Sequence, residues 1–522
     1  MIAGLKKHWS AWVLALIVLA ACVLASVWVL RVPLLQNPDE SSHIDYVFSV
    51  YSAGRLLNVR RAPSVWNVHP RFEGRKDVQG PESTPYDLLS HQYTLYLIDA
   101  TEFQRLRFHP EEKVLGDYGT VAYYRKLDSG APQTPARLPD LQPQDNPWMV
   151  TAYPFLYYVV VAIVLKVLSI FSAGPVWLFL GARFLSVVFL AGSLVVTYKL
   201  LRELRWQKTG ALLLTAVMAF FPLTTFVASS VQPDNLALLL VLLCWYLTLR
   251  TRRMDVLLGL ALGALLVTKY HIFMITACAV LATVITEDLF RKRALRNLVQ
   301  RLLLLILPSV LLFLVQLWIV WGGERITGGN LHSARAGLTA GVRNALYDYY
   351  RGGPAWVSWW GTFGWGDAPL VIGSPDFQAR VWRVLALLTL VILLLVFVRL
   401  VQVIFRLLVL IKRGHWRVAL RLAFSNPLIV SHLLFSVFMV LLYALTDNSF
   451  FAQGRHWFPL TLSGFVIATQ FAPRVLPHRK LQTAVTTCLL IALLVYCAVG
   501  GYFSLKTITH RYYPGFISIV KR

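Results

Sequence analysis

The chain has 522 residues, is 57% hydrophobic with mean hydropathy +0.59, and carries fifty Lys and Arg against twenty-five Asp and Glu. Long uncharged runs at that hydropathy exclude a soluble globule and place the chain among all-α polytopic membrane proteins. The net charge of +25 does not make it a nucleic-acid binder, because the bases fall in short clusters between apolar runs, where they act as topology signals, and no reader motif accompanies them.

In chain order, the apolar runs predict about eleven spans, near 9–31, 176–198, 210–229, 234–250, 254–268, 271–287, 300–321, 381–405, 427–446, 456–473 and 481–503. Lys6 and Lys7 precede the first run, which is long for a signal peptide and reads as an uncleaved span with a cytoplasmic N-terminus. A first extracytoplasmic loop, 32–150, follows, with a helix expected over Ser41 to Leu57. Between Asn37 and Trp148 lie fifteen acids and twelve bases, so the basic surplus belongs to the remainder, in clusters at Lys199 to Lys208, Arg250 to Arg253, Arg291 to Arg301, Arg406 to Arg421 and Arg474 to Lys480. By the positive-inside rule these are cytoplasmic turns.

Two stretches need a decision. Met254 to Asp288 is too long for one span and has cytoplasmic signals at both ends, so it goes out and returns, turning near Lys269, Tyr270 and His271. Tyr153 to Phe171 is apolar, but if it crossed, the basic run at Lys199 to Lys208 would lie outside; it reads as a juxtamembrane or re-entrant helix with Tyr157 and Tyr158 of the interfacial type. A second extracytoplasmic loop, 322–380, contains AWVSWWGTFGWGD at Ala355 to Asp367, and the tail 504–522 is extracytoplasmic. Cys22, Cys244, Cys278, Cys488 and Cys497 all lie in apolar runs without metal or CxxC spacing and read as small core residues.

Of the ten acids outside the first loop, Glu203, Asp255, Glu287 and Asp288 fall at cytoplasmic ends, and Asp234, Glu324, Asp348, Asp367, Asp376 and Asp447 at outer turns. Three motifs share the outer face: PDESSH at Pro38 to His43, SSVQPDN at Ser229 to Asn235, and QGRHWFP at Gln453 to Pro459. Each has a plain alternative. Asp39 and Asp234 suit helix caps, and Arg455 with His456 suits an interfacial anchor. Together with Lys269 they suggest a cavity with carboxylates for a hydroxyl and cations for a phosphate.

These segments resemble the GT-C superfamily of integral-membrane glycosyltransferases: the acidic motif after the first span, the long loop with juxtamembrane helices, YPFLYY at Tyr153 to Tyr158, which is similar to a segment of the protein-mannosyltransferase branch, ARFLSVVFLAGSLVVTYKLLREL at Ala182 to Leu204, SVQPDN, and GLALGALLVTKY at Gly259 to Tyr270. The chain also resembles a bacterial family of membrane proteins of unassigned activity with PDE…H, WGxFGW and QGRY-like motifs, here Pro38 to His43, Trp360 to Trp365 and Gln453 to His456, with His456 where that family has Tyr. The resemblance implies a single GT-C-like domain over 1–522 in the plasma or inner membrane, an extracytoplasmic site, a polyprenyl-phosphate-linked sugar as donor and a glycan, lipid or protein hydroxyl as acceptor, with the lipid bilayer as the other partner and no nucleic acid.

A sugar on a lipid phosphate is already activated, and the enzyme must deprotonate the acceptor, align it and stabilise the departing phosphate. Asp39 is the candidate general base, with Glu40 or Asp234 positioning the acceptor or supporting His43. Lys269 and Arg455 are candidates for the phosphate, with Tyr270, His271 and His456 beside them; Trp360 and Trp365 suit stacking on a sugar ring, or packing at the interface. Some GT-C members use a divalent ion such as Mg or Mn, for which Asp39 and Asp234 would be the ligands, and others use none. A polymerase or ligase of lipid-linked polysaccharide and a lipid or sugar transporter are the competing classes. The transporter is disfavoured by charges that sit at span ends and by the lack of visible repeats.

Overall fold

The computed structural model describes residues 2–54, 92–101, 103, 106, 112–114, 118–131, 154–171, 174–250, 254–291, 294–320, 360, 362–363, 368–369, 375–446 and 454–513. Among these the structure is helical apart from a two-residue antiparallel ladder, β1 (Thr362–Phe363) with β2 (Ala368–Pro369). Among the described residues six helices are long and apolar enough to cross a membrane, or seven if a pair bent by 77° counts as one span. The protein is therefore a multi-pass helical membrane protein.

Each of the eleven expected spans is helical, with informative differences. The first is α1 (Ile2–Arg31). The first loop contributes α2 (Glu40–Ala53), close to expectation, then α3 (Gln92–Ala100) and α4 (Val121–Ser129); α5 (Leu156–Ser169) and α6 (Pro175–Glu203) follow. The expected span 210–229 is broken: α7 (Lys208–Phe220) stops where Phe221 turns extended ahead of Pro222, and α8 (Pro222–Val227) restarts from that proline. The residue before a proline is pushed out of helical geometry, and proline is welcome at a helix start. Next come α9 (Asp234–Leu249), α10 (Asp255–Leu266), α11 (Tyr270–Phe290) and α12 (Leu295–Val315), the last continuing into a π turn at Gln316–Val320. The 38-residue α13 (Pro375–Lys412), then α14 (Trp416–Phe424) and α15 (Pro427–Thr446) follow, α14 meeting the start of α15 at 77°. The span expected at 456–473 is irregular: a 3-10 turn at Gly454–Leu460, α16 (Thr461–Val466), a π turn and another 3-10 turn. Finally α17 (Arg479–Tyr512) runs nine residues past the expected 503, so the start of the expected tail is helical.

Contacts between helix ends fix which ends lie together. The Tyr513 hydroxyl donates to Arg31 O (3.0 Å), and Val114 N donates to Tyr512 O (2.7 Å), so α17 finishes beside the end of α1 and under the first loop. Arg183, on the third turn of α6, reaches Val29 O (3.0 Å) and Val32 O (2.7 Å), so α6 begins where α1 ends. The chain between α1 and α6 therefore makes no net crossing. Only 14 residues long, α5 lies against α2 at that same end, His43 meeting Tyr158 and Lys166 standing 4.3 Å above the Tyr51 ring. Tyr157 and Tyr158, expected to be of the interfacial type, are fully buried under α2 rather than at a lipid interface.

The start of α6 is shaped by the first loop. Asp128, at the end of α4, accepts from Val176 N (3.0 Å), supplying a cap that Gly174 lacks. A Cβ at Gly174 would stand 2.3 Å from Asp128 Oδ2, so a side chain there would push the carboxylate off its cap. The out-and-back pair 254–288 is also as expected. On α10, Gly259 and Gly263 bring its backbone against α12, where a Cβ on Gly259 would meet Leu304 O at 2.2 Å. This is small-xxx-small packing, in which backbones rather than long side chains set the distance. At the end remote from Asp39, Arg301 donates to both oxygens of Asp255 (2.9 and 3.0 Å) and to Asp288 (2.8 Å), tying α10, α11 and α12 together. The two ends of the bundle thus have separate ionic networks. Cys244 and Cys497 are core residues as expected, whereas Cys278 and Cys488 are exposed on the bundle's outside.

Candidate functional site

The loop between α1 and α2 is built around one arginine. Arg183 Nε donates to Glu40 Oε1 (2.9 Å) and Nη2 to Glu40 Oε2 (2.5 Å), while Nη1 donates to Val29 O and Val32 O and Nη2 also to Pro33 O (3.0 Å). All five guanidinium donors are used, three of them on main-chain carbonyls, that of Val29 in the last turn of α1 and those of Val32 and Pro33 just past its end, where the helix dipole favours a cation. Both Glu40 oxygens are engaged as well. Oε1 also accepts Val231 N (3.0 Å), and Oε2 accepts Asn37 Nδ2 (3.3 Å). Both side chains are wholly buried. Glu40, expected beside Asp39 as a catalytic or positioning carboxylate, is by this geometry the staple of the loop, because no lone pair is left facing an open space.

That staple holds a strained backbone. Leu35 (φ 66°) and Asp39 (φ 58°) are both left-handed, a conformation costing about 1–3 kcal/mol at a residue with a side chain. Asp39 stands directly before α2, yet its carboxylate makes no cap hydrogen bond to the helix. The plain capping alternative therefore does not account for Asp39, which is half-buried at the top of α2. One turn on, His43 N donates to Asp39 O (3.1 Å), and His43 Nδ1 lies 2.9 Å from the Tyr158 hydroxyl. Tyr158 packs on Tyr46 with ring centroids 4.3 Å apart. Burial pushes the Tyr46 phenol well above its ordinary value, and its hydroxyl has no partner among the described residues. It is thus a neutral hydrogen-bond donor at any physiological pH.

The SSVQPDN segment closes on this loop. Gln232 Nε2 donates to Pro38 O (2.5 Å), beside the Val231 contact to Glu40. Asn235 Nδ2 bridges Val227 O and Ser230 O (3.0 Å each), and Ser186 on α6 donates to Ser230 O (2.7 Å), which locks the turn. Asp234 then starts α9 and pairs with Lys269, the residue before α11, both nearly buried. Asp234 is occupied by a distant lysine, so capping is not its main engagement either. The Lys269 turn is fixed in its turn by α5: Leu156 N donates to Val267 O (2.9 Å) and Phe155 N to Gln316 Oε1 (3.1 Å) in the π turn after α12. Tyr270 and Tyr46 lie within electrostatic range of each other, and so do His271 and Lys269.

The structure therefore brings together Asp39, His43, Asp234, Lys269, Tyr270 and His271 at one end of the bundle, from three segments distant in sequence. Trp360 is placed elsewhere: it is 2% exposed, its ring 4.9 Å from Tyr496 and 6.1 Å from Phe221, and the Tyr496 hydroxyl donates to its carbonyl. Its surroundings are those of a packing residue rather than a sugar platform. Trp365 lies outside the described residues, as do the side chains of Arg455 and His456, of which only the backbone, in the Gly454–Leu460 turn, is described.

Sequence reasoning missed Arg183, Tyr46, Tyr158 and Gln316. Arg183 had a signal: between Pro175 and Tyr198 it is the one charged residue, and a charge inside a span demands a partner. No group of three or more His, Cys, Asp and Glu among the described residues is placed to hold a metal ion, and Asp234 is already neutralised by Lys269. These residues alone do not make a resident Mg or Mn site. No protein-family model matches the chain, and a search of curated proteins finds no match.

Proposed function

We propose that the protein is a glycosyltransferase that moves a sugar from a polyprenyl-phosphate carrier to an acceptor hydroxyl at the extracytoplasmic face, within a GT-C-like bundle of eleven spans. The observation that carries the reading is the union of the Asp39 loop, the Val231–Asp234 turn and the Lys269 turn at one end of the bundle. It combines a half-buried carboxylate, a buried cation and phenolic donors in one place. This is the set needed to deprotonate a hydroxyl and receive a phosphate.

In this mechanism Asp39 takes the acceptor proton as the acceptor oxygen forms its bond to the anomeric carbon. The bond from that carbon to the phosphate oxygen breaks, its electron pair leaving with the phosphate, and the anomeric centre inverts. Lys269 turns from Asp234 toward the phosphate and stabilises the charge it gains, Arg455 adding a second cation. His43, oriented by Tyr158, positions the Asp39 turn. The left-handed Asp39 backbone holds its carboxylate off the helix end, where it makes no cap hydrogen bond. No step is drawn through a metal.

The test is chemical. Mass spectrometry of lipid extracted from the purified protein is expected to show a polyprenyl-phosphate hexose or pentose, and the protein in liposomes is expected to transfer labelled sugar from that lipid to an acceptor. Co-purification of a long lipid-linked polysaccharide with no monosaccharide transfer would move the assignment to the polymerase or ligase class.

A further inference from the structure

At the end of the bundle remote from Asp39, three arginines from two elements gather without an acid. Arg399 on α13 is 9% exposed; its Nη1 donates to Gln402 Oε1 (3.1 Å), its guanidinium stands 6.0 Å from the Phe471 ring, and its Nε has no partner among the described residues. Arg406, two turns further along α13, and Arg474, in the turn after α16, are exposed and near enough for their charges to be felt at Arg399. Gln402 Nε2 donates to Val475 O (3.3 Å), which fastens the two elements beneath the cluster. From Arg399 to Asn426 the sequence contains no Asp or Glu. Three like charges drawn together by packing, one of them buried with an orphaned donor, are a standing cost unless an anion joins them.

The depth and surroundings say what kind of anion. Fifteen uncharged residues, Val384 to Val398, separate Arg383 from Arg399, about 22 Å of helix, short of a hydrocarbon core of about 30 Å, so Arg399 lies just inside the level, reached by Arg406, where hydrocarbon gives way to headgroups. On the bilayer side of Arg399 α13 is apolar and exposed, with Leu390, Leu394 and Phe397 all more than half exposed, and past Arg406 α14 adds exposed Trp416 and Val418. We infer that Arg399, Arg406 and Arg474 bind the phosphate of an anionic phospholipid headgroup, whose acyl chains run toward the bilayer centre along Leu390, Leu394 and Phe397. A zwitterionic headgroup fits less well, because no carboxylate among the described residues pairs with these arginines to receive its ammonium. Arginine forks suit phosphate oxygens, and clustered bases at a membrane surface select anionic lipid.

The test uses the full chain in nanodiscs of phosphatidylcholine with rising phosphatidylglycerol, read by native mass spectrometry for bound lipid and by melting temperature. The wild type is expected to retain phosphatidylglycerol and to melt higher with it than in phosphatidylcholine alone. Arg406→Gln with Arg474→Gln, both exposed, is expected to bind it roughly thirtyfold more weakly, while Arg380→Gln with Arg383→Gln, the same charge change at the other end of α13, leaves binding unchanged. Either single variant, expected to lose about fivefold, serves if the double does not fold. Undiminished binding in the arginine variants, an equal loss in the Arg380 and Arg383 control, or equal stabilisation by millimolar inorganic phosphate would overturn the assignment.

Discussion

Two buried ion pairs stand side by side in this protein and differ in one respect. In Glu40–Arg183 every donor and acceptor is used: five guanidinium bonds, and a carboxylate that also accepts from Val231 and Asn37. In Asp234–Lys269 the ammonium makes one hydrogen bond among the described residues, although it has three to give. Both pairs are almost wholly out of water. Desolvating a pair is repaid only when its remaining valences are filled; the first pair has all of its own filled, whereas a single donor of the Lys269 ammonium is engaged among the described residues. Saturation, rather than charge or burial, separates the residues that build this site from those placed to use it.

The largest effect should come from opening the saturated pair. Arg183→Met leaves Glu40 charged and buried and uncovers three carbonyls, at a cost of about 3–5 kcal/mol; detergent-extracted protein should be scarce or aggregated by size-exclusion chromatography. Glu40→Gln, which keeps the shape, should lower the melting temperature without selective loss of donor affinity. If it instead folded normally and lost activity, the division between scaffold and site would fail. Lys269→Met combined with Asp234→Asn should behave in the opposite way. With both charges of the pair removed the fold should survive, while apparent donor affinity falls by roughly ten- to hundredfold in the Lys269→Met, Asp234→Asn double variant, from the loss of a charged hydrogen bond worth about 1.5–3 kcal/mol; unchanged donor KM would remove Lys269 from the phosphate site. Arg455→Ala should weaken donor binding similarly, and an unaltered donor KM there would leave Lys269 as the sole cation. Smallest is Tyr158→Phe, which removes the partner of His43 at about 1 kcal/mol: a modest drop in kcat with donor KM unmoved. An unchanged kcat would show that His43 needs no orientation.

Much of the fold was legible because its causes are local. Apolar runs give helices, and basic clusters mark which ends lie together, so the out-and-back turn at Lys269 and its meeting with Asp234 follow from the sequence. Other features depend on partners that no local pattern specifies. Arg183 is held by main-chain carbonyls in the last turn of α1 and just past it, which have no sequence signature. Tyr157 and Tyr158 have the composition of interfacial residues, and only the cover provided by α2 makes them core. The bases around α14 were read as topology signals alone, yet Trp416–Phe424 forms a helix of its own, docked through Arg421 on Glu287 (3.4 Å) and on the Phe290 ring (4.2 Å). Trp360 is the plainest case of composition misleading: an aromatic-glycine segment suits a sugar, but its tryptophan fills a space between Phe221 and Tyr496. The candidate site was thus visible as a set of charges, and invisible as a division of labour among them.

The central claim is that Asp39, left uncapped in a strained turn, is the base. Transfer from a labelled polyprenyl-phosphate sugar, measured for Asp39→Asn beside the wild type in the same liposomes, tests it most directly. The account predicts a loss of roughly a hundredfold or more in kcat, with melting temperature and donor KM little changed. Normal turnover by the variant would contradict it.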